Sequence, residues 1–201
     1  MSTRIPLAIT VLGILLGAIA ASADEPRALG LRLQDFDGRW TQRDAGRDDV
    51  ARRAAIDTAI QPLAWVVRKM AGGVLHATTA PESTVHFIWD GARLHQRLEA
   101  RRGAITRPVE PGAPPTTSTD GRGEPFEGQW IWTPDGLQFS WRQHQAFGAN
   151  LYRVDPVRHE LTIDHSIHVT ALEGVQPIRF QSRFIQAGLP AVSAGAAPGA
   201  R

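Results

Sequence analysis

From Val74 onward apolar and polar residues alternate with a period of two, the signature of strands that bury one face. The predicted strands are 74–80, 84–89, 92–99, 126–133, 137–144, 149–154, 160–170 and 177–186, with a weaker one near 104–107. A short first strand precedes them around Gly38-Arg39-Trp40. The segments between carry turn chemistry: Asp90-Gly91, Pro134-Asp135-Gly136, Asp155-Pro156 and Glu173-Gly174. Connections this short make neighbouring strands antiparallel.

One stretch has a different period. Over residues 47–70, Val50, Ala54, Ile56, Ile60, Leu63, Val67 and Met70 form a single apolar stripe, which predicts a helix. Asp48 and Asp49 suit its N-terminal end, Arg68 and Lys69 its C-terminal end, and Gly72-Gly73 is the expected stop. Pro62 must bend this helix or begin a second one. Residues 107–125, rich in Pro, Gly and Thr, are expected to be a flexible loop. Residues 187–201 hold too little apolar surface to order themselves.

Sorted by face, the strands place Val85, Phe87, Trp89, Leu94, Gln96, Trp130, Trp132, Phe139, Trp141, Tyr152, Ile163, His165, Phe180, Ser182 and Phe184 on a dry side. Arg93, His95, Arg97, Glu127, Gln138, Arg142, Asp164, Arg179 and Arg183 fall on the wet side. Hairpin-linked strands in this number need a second sheet or closure on themselves. The fold class expected is mainly β: a single antiparallel up-and-down barrel of about eight to ten strands. One bent helix is inserted between its first and second strands, and the domain spans 24–186.

Gly38-Arg39-Trp40 on the first strand resembles the Gly-x-Trp opening of the lipocalin and calycin superfamily. The chain is also similar to uncharacterised exported bacterial proteins with a lipocalin-like barrel and a helix after the first strand. The resemblance implies that Trp40 sits at the closed end of the barrel, with an Arg of the last strand, Arg179 or Arg183, packed over it. Two features depart from classical lipocalins: the helix lies between the first two strands, and cysteine is absent.

Composition narrows the role. Of 201 residues, 42% are hydrophobic and 21% charged, and 22 basic residues against 20 acidic leave a formal charge of only +2. Acids and arginines are interspersed rather than gathered on one face, so no nucleic-acid partner is expected. The lack of cysteine removes disulfides, thiolate metal sites and cysteine nucleophiles. Residues 1–23 read as a secretory signal: Arg4, an apolar run from Ile5 to Ala20, then Ala21-Ser22-Ala23 before Asp24. That run is shorter than the ~20 apolar residues of a membrane span. Export to a periplasm or the exterior is therefore expected, with no transmembrane segment once the signal is cleaved.

No nucleophile elbow, phosphate-cradling loop or His-Glu-x-x-His is present. His165 and His168 have a metal-like spacing, but three residues along a strand reverse the face, so neither a metal nor a cofactor is expected. The arginines near 97–107 read as a charged rim that keeps the barrel soluble. What remains is the dry face. Trp89, Trp130, Trp132 and Trp141 offer an aromatic wall, and Gln96, Tyr152, His165 and Ser182 interrupt it with polar groups that must bond to one another, to water or to a ligand. Three readings stay open. The interior holds a small apolar or aromatic molecule without chemistry, His165 acts as general base of an enzyme on a small hydrophobic substrate, or the barrel is filled and works through its surface.

Overall fold

A computed structural model describes residues 30–80, 82–100, 103–120 and 123–188. The signal-like residues 1–23 and most of 187–201 lie outside the described residues. Ten strands follow in order: β1 Gly38–Gln42, β2 Thr84–Trp89, β3 Leu94–Ala100, β4 Gly103–Val109, β5 Thr116–Thr119, β6 Pro125–Thr133, β7 Gly136–Arg142, β8 Ala146–Asp155, β9 Glu160–Val169 and β10 Ile178–Gln186. A turn of 3-10 helix, Leu33–Phe36, precedes β1, and helices α1 (Ala45–Ile60) and α2 (Trp65–Thr78) separate β1 from β2. The expected class is therefore observed: mainly β, all neighbours antiparallel, helical insertion after the first strand.

Consecutive strands pair throughout except β4 with β5, and one further ladder is added. The first strand pairs with the last, Gln42 opposite Phe184, and this curls the meander into a barrel with spatial order β4-β3-β2-β1-β10-β9-β8-β7-β6-β5. No ladder joins β4 to β5. Across that seam Arg107 Nη2 donates to the carbonyl of Thr119 at 3.4 Å, so a side chain spans the interval.

Three sequence expectations need correction. The helix predicted over 47–70 is two helices, broken at Gln61–Ala64, where Pro62 has no amide hydrogen to continue the ladder. The predicted stop at Gly72-Gly73 and the predicted strand 74–80 are both helix, because α2 runs on to Thr78. Tertiary packing decides this: Ala71, Gly72 and Leu75 are buried at helical spacing, and a Cβ on Gly72 would stand 3.3 Å from Ile60 Cδ1. The predicted loop 107–125 contains the end of β4 and all of β5, whose Thr116–Thr119 pairs with Gly128–Pro125. The β-branched threonines fit a pleated edge.

Two apolar clusters hold the molecule. One joins Phe36, Trp40, Phe87, Leu94, Trp130, Leu137 and Leu161 across the closed end. The other clamps α1 and α2, through Ile56, Ile60 and Leu75, onto Ile178 and Phe180 of β10.

Candidate functional site

The closed end of the barrel is filled with rings. Trp130 contacts Phe139, Tyr152 and Phe87 with centroids 4.8, 5.3 and 6.3 Å apart, and Trp132 lies 6.0 Å from Phe36. Trp89 packs against the same cluster. Trp40 is buried there too, and its indole N–H donates to the Phe36 carbonyl at 2.9 Å. Gly38 has φ +130°, and a Cβ on it would collide with the Gln186 side chain, which reaches over to the Asp37 carbonyl. Arg183 is held by Asp48 of α1, and Arg179 stands exposed on the outer wall.

The other half of the barrel is open. A cavity of about 330 Å³ is bordered by Val85, Leu98, Phe126, Phe139, Trp141, Ile163, Phe180 and Phe184 on its apolar side. Thr78 and Thr79 at the end of α2, together with Glu82, border it from the helical side. Of the four tryptophans expected to line an interior site, Trp141 alone borders this space; Trp89, Trp130 and Trp132 belong to the filled end. Trp141 can lie flat because its register partner is Gly148, where a Cβ would come within 2.8 Å of the indole and 2.4 Å of the Ser166 carbonyl.

The four polar residues of the dry face are satisfied in two hydrogen-bonded groups. Ser182 Oγ lies 3.1 Å from His165 Nε2, and His165 Nδ1 lies 2.9 Å from Asn150 Oδ1. An amide oxygen can only accept, so His165 carries its hydrogen on Nδ1 and takes the serine hydrogen on Nε2. Gln96 Nε2 donates to the Tyr152 phenol at 3.2 Å. Together these groups need inward positions from β3, β8, β9 and β10, and the ladder supplies them: His165 lies opposite both Asn150 and Phe180.

Burial sets the electrostatics. Desolvation pushes the His165 imidazole down to about 4, against the opposing pull of the Asp164 and Asp48 charges, so at neutral pH it is uncharged. Its ring also stacks on Phe180 at 4.4 Å. Desolvation pushes the Tyr152 phenol up, while Gln96, Asn150 and Arg107 act the other way. Arg107 is pushed down by burial and held up by Tyr152 and Asp120.

Sequence reasoning missed the lining residues at the end of α2 and, on the barrel itself, four polar ones. Arg107, assigned to the soluble rim, points inward with its guanidinium 4.7 Å over the Phe126 ring. The alternation Ile105, Arg107, Val109 marks it, since their partners Leu98, Gln96 and Leu94 are inward residues of β3. Asn150 lies two residues before Tyr152 on the same face, and its strand begins at Ala146 rather than 149. Asp120 and Gln143, joined at 3.2 Å, sit outside any strand; Gln143 follows Trp141 by two within the predicted strand 137–144, while Asp120 left no periodic signal.

Ser182, His165 and Asn150 stand in the order of a nucleophile, a base and a residue that orients the base. His165 and Asn150 border the cavity. Ser182 is fully buried and does not border it. A base serves best with a pKa near the working pH, which His165 does not have.

No protein-family model and no curated protein matches the chain. Solved structures do. A Schistosoma mansoni fatty acid binding protein in complex with arachidonic acid is 14% identical with a TM-score of 0.45, over 78% of this chain and 98% of that one. The fluorescent protein UnaG is 10% identical with a TM-score of 0.48, over 77% and 99%. A heat soluble protein from Ramazzottius varieornatus is 9% identical with a TM-score of 0.47, over 76% and 96%. At such identities and scores the likeness says nothing of what the cavity holds.

Proposed function

We propose that this chain is an exported, non-catalytic binder of a small, largely apolar or aromatic molecule, held in the open half of the barrel. The cavity carries the reading. About 330 Å³ is at the small end of the range for ligand pockets. Its walls combine aromatic surface from Phe126, Phe139, Trp141 and Phe180 with converging polar groups from Gln96, Arg107, Asn150 and Tyr152. A barrel that worked only through its surface would have no reason to leave this half unfilled, since empty apolar space costs stability. The signal-like pattern of residues 1–23 supports export, and among the described residues no helix is long and apolar enough to cross a membrane.

The test is native mass spectrometry of the protein purified without denaturation from its own host. The expected spectrum shows a sub-stoichiometric adduct that disappears on denaturation, on a chain that begins at Asp24. A chain that carries no adduct and binds none of a library of small aromatic compounds would overturn the ligand reading. A chain that retains residues 1–23 would overturn export.

A further inference from the structure

Helix α2 is apolar on both of its sides. Ala71, Gly72 and Leu75 are buried on one side, with Gly72 against Ile60 of α1. On the other, Val66, Met70 and Val74 are 59, 71 and 61% exposed, with Val67, Gly73 and Ala77 exposed beside them. A helix apolar all round is normally a buried one, and this helix is covered on one side only among the described residues. The exposed face has both a period and a symmetry. Val66, Met70, Gly73 and Ala77 recur at spacings of four, three and four, which is the seam along which two helices pack. Laid antiparallel about a two-fold axis between residues 71 and 72, two copies of the seam bring Met70 onto Gly73 and Val66 onto Ala77. A large side chain meets a small one each time, and Gly73 has open space where a Cβ would stand.

We propose that two copies of this chain pair through α2, antiparallel about that axis. The contact is isologous, so the same patch serves both copies. On one flank Val67 of each copy meets Val74 of the other. On the opposite flank Lys69 comes level with His76, whose Nε2 lies 3.1 Å from the Asp57 carboxylate, so a cation approaches an acid. A lipid surface would reward bulk along the whole face, whereas the hollows at Gly73 and Ala77 suit a second helix. Val66, Val67, Met70 and Val74 present roughly 400 Å² per chain, about 800 Å² for the pair before any rim is counted, which is the low end of a specific interface. The dimer is therefore reversible, with a dissociation constant of roughly 1–100 μM.

Sedimentation velocity of the whole folded chain between about 1 and about 500 μM tests this. The weight-average mass should rise from one chain toward two across that range. Met70→Glu places a charge on a side chain that is exposed in the single copy, and should keep the protein monomeric throughout. Met70→Ala and Gly73→Met should each weaken pairing about tenfold or more, and the two together, which exchange the large and small positions, should restore it to within about threefold of the unmodified protein. A chain that stays monomeric at the highest concentration overturns the proposal. So does a dimer that Met70→Glu leaves intact, or a double variant that pairs no more tightly than either single one. A chain that co-sediments with phosphatidylglycerol vesicles and does not pair also overturns it, and gives the face to a lipid surface instead.

Discussion

The Asp48 carboxylate, in the first turn of α1, accepts a hydrogen bond of 2.8 Å from the backbone N–H of Arg183, on a strand 135 residues further along. The Arg183 guanidinium comes within 3.7 Å of the other carboxylate oxygen. β1 ends at Gln42, opposite Phe184, so from Arg183 backwards β10 has no β1 partner and α1 takes that place. Asp48 continues the ladder with a side chain, and this anchors the helical insertion to the barrel. It is 2% exposed, so its removal strands a donor where water does not reach. Asp48→Ala should cost about 1–3 kcal/mol, measured as a lower urea midpoint with an unchanged slope. A loss too small to detect would mean that the contact does not hold the helix.

The filled and open halves of the barrel should respond differently to loss of a ring. Trp130→Ala removes a side chain that touches Phe87, Phe139 and Tyr152, and should cost about 3–5 kcal/mol. Trp141→Phe keeps a ring at the cavity wall and should cost far less. It should also abolish most of the tryptophan quenching that a bound aromatic produces, because Trp141 alone of the four candidate tryptophans borders the cavity. Undiminished quenching in Trp141→Phe would place the ligand elsewhere.

His165 makes stability depend on acid. Its pKa falls from the ordinary 6.5 to about 4 in the folded chain, so between those values the unfolded chain binds the proton more readily. The contribution of the neutral imidazole is complete above about pH 6.5 and is lost as pH falls toward 4, up to about 3 kcal/mol. Urea midpoints at pH 7 and pH 4.5 measure this. His165→Gln keeps a polar group between Asn150 and Ser182 without a titrating one, and should shrink the difference between the two midpoints. An unchanged difference would assign the acid sensitivity to other groups.

Much of the fold was legible because burial imposes a period. The strands from Thr84 to Gln186 show it, and the inward polar residues Gln96, Tyr152, His165 and Ser182 stood out as interruptions of it. Arg107 escaped for the opposite reason: arginine is so often exposed that an inward one, lying over Phe126, looks like rim. The partition of tryptophans between filled and open ends was not legible either. Trp130 and Trp141 have the same alternation, and only the register with Gly148 and the position along the barrel axis separate them. The second helix was misread because Gly72-Gly73 reads as a helix stop, and the choice was made by packing against Ile60.

That misreading leads to a direct measurement. Gly73 lies inside α2, exposed, with open space where a Cβ would be, whereas a Cβ on Gly72 would press on the buried Ile60 side chain. Glycine in a helix interior costs about 0.5–1 kcal/mol relative to alanine, so Gly73→Ala should stabilise the protein by about that amount. Gly72→Ala gains the same propensity and spends part or all of it against Ile60, and should come out lower. A helix that ended at Gly72-Gly73 would need glycine's freedom there, and Gly73→Ala would then destabilise. The sign of one stability difference therefore distinguishes a helix that continues through the pair from one that stops at it.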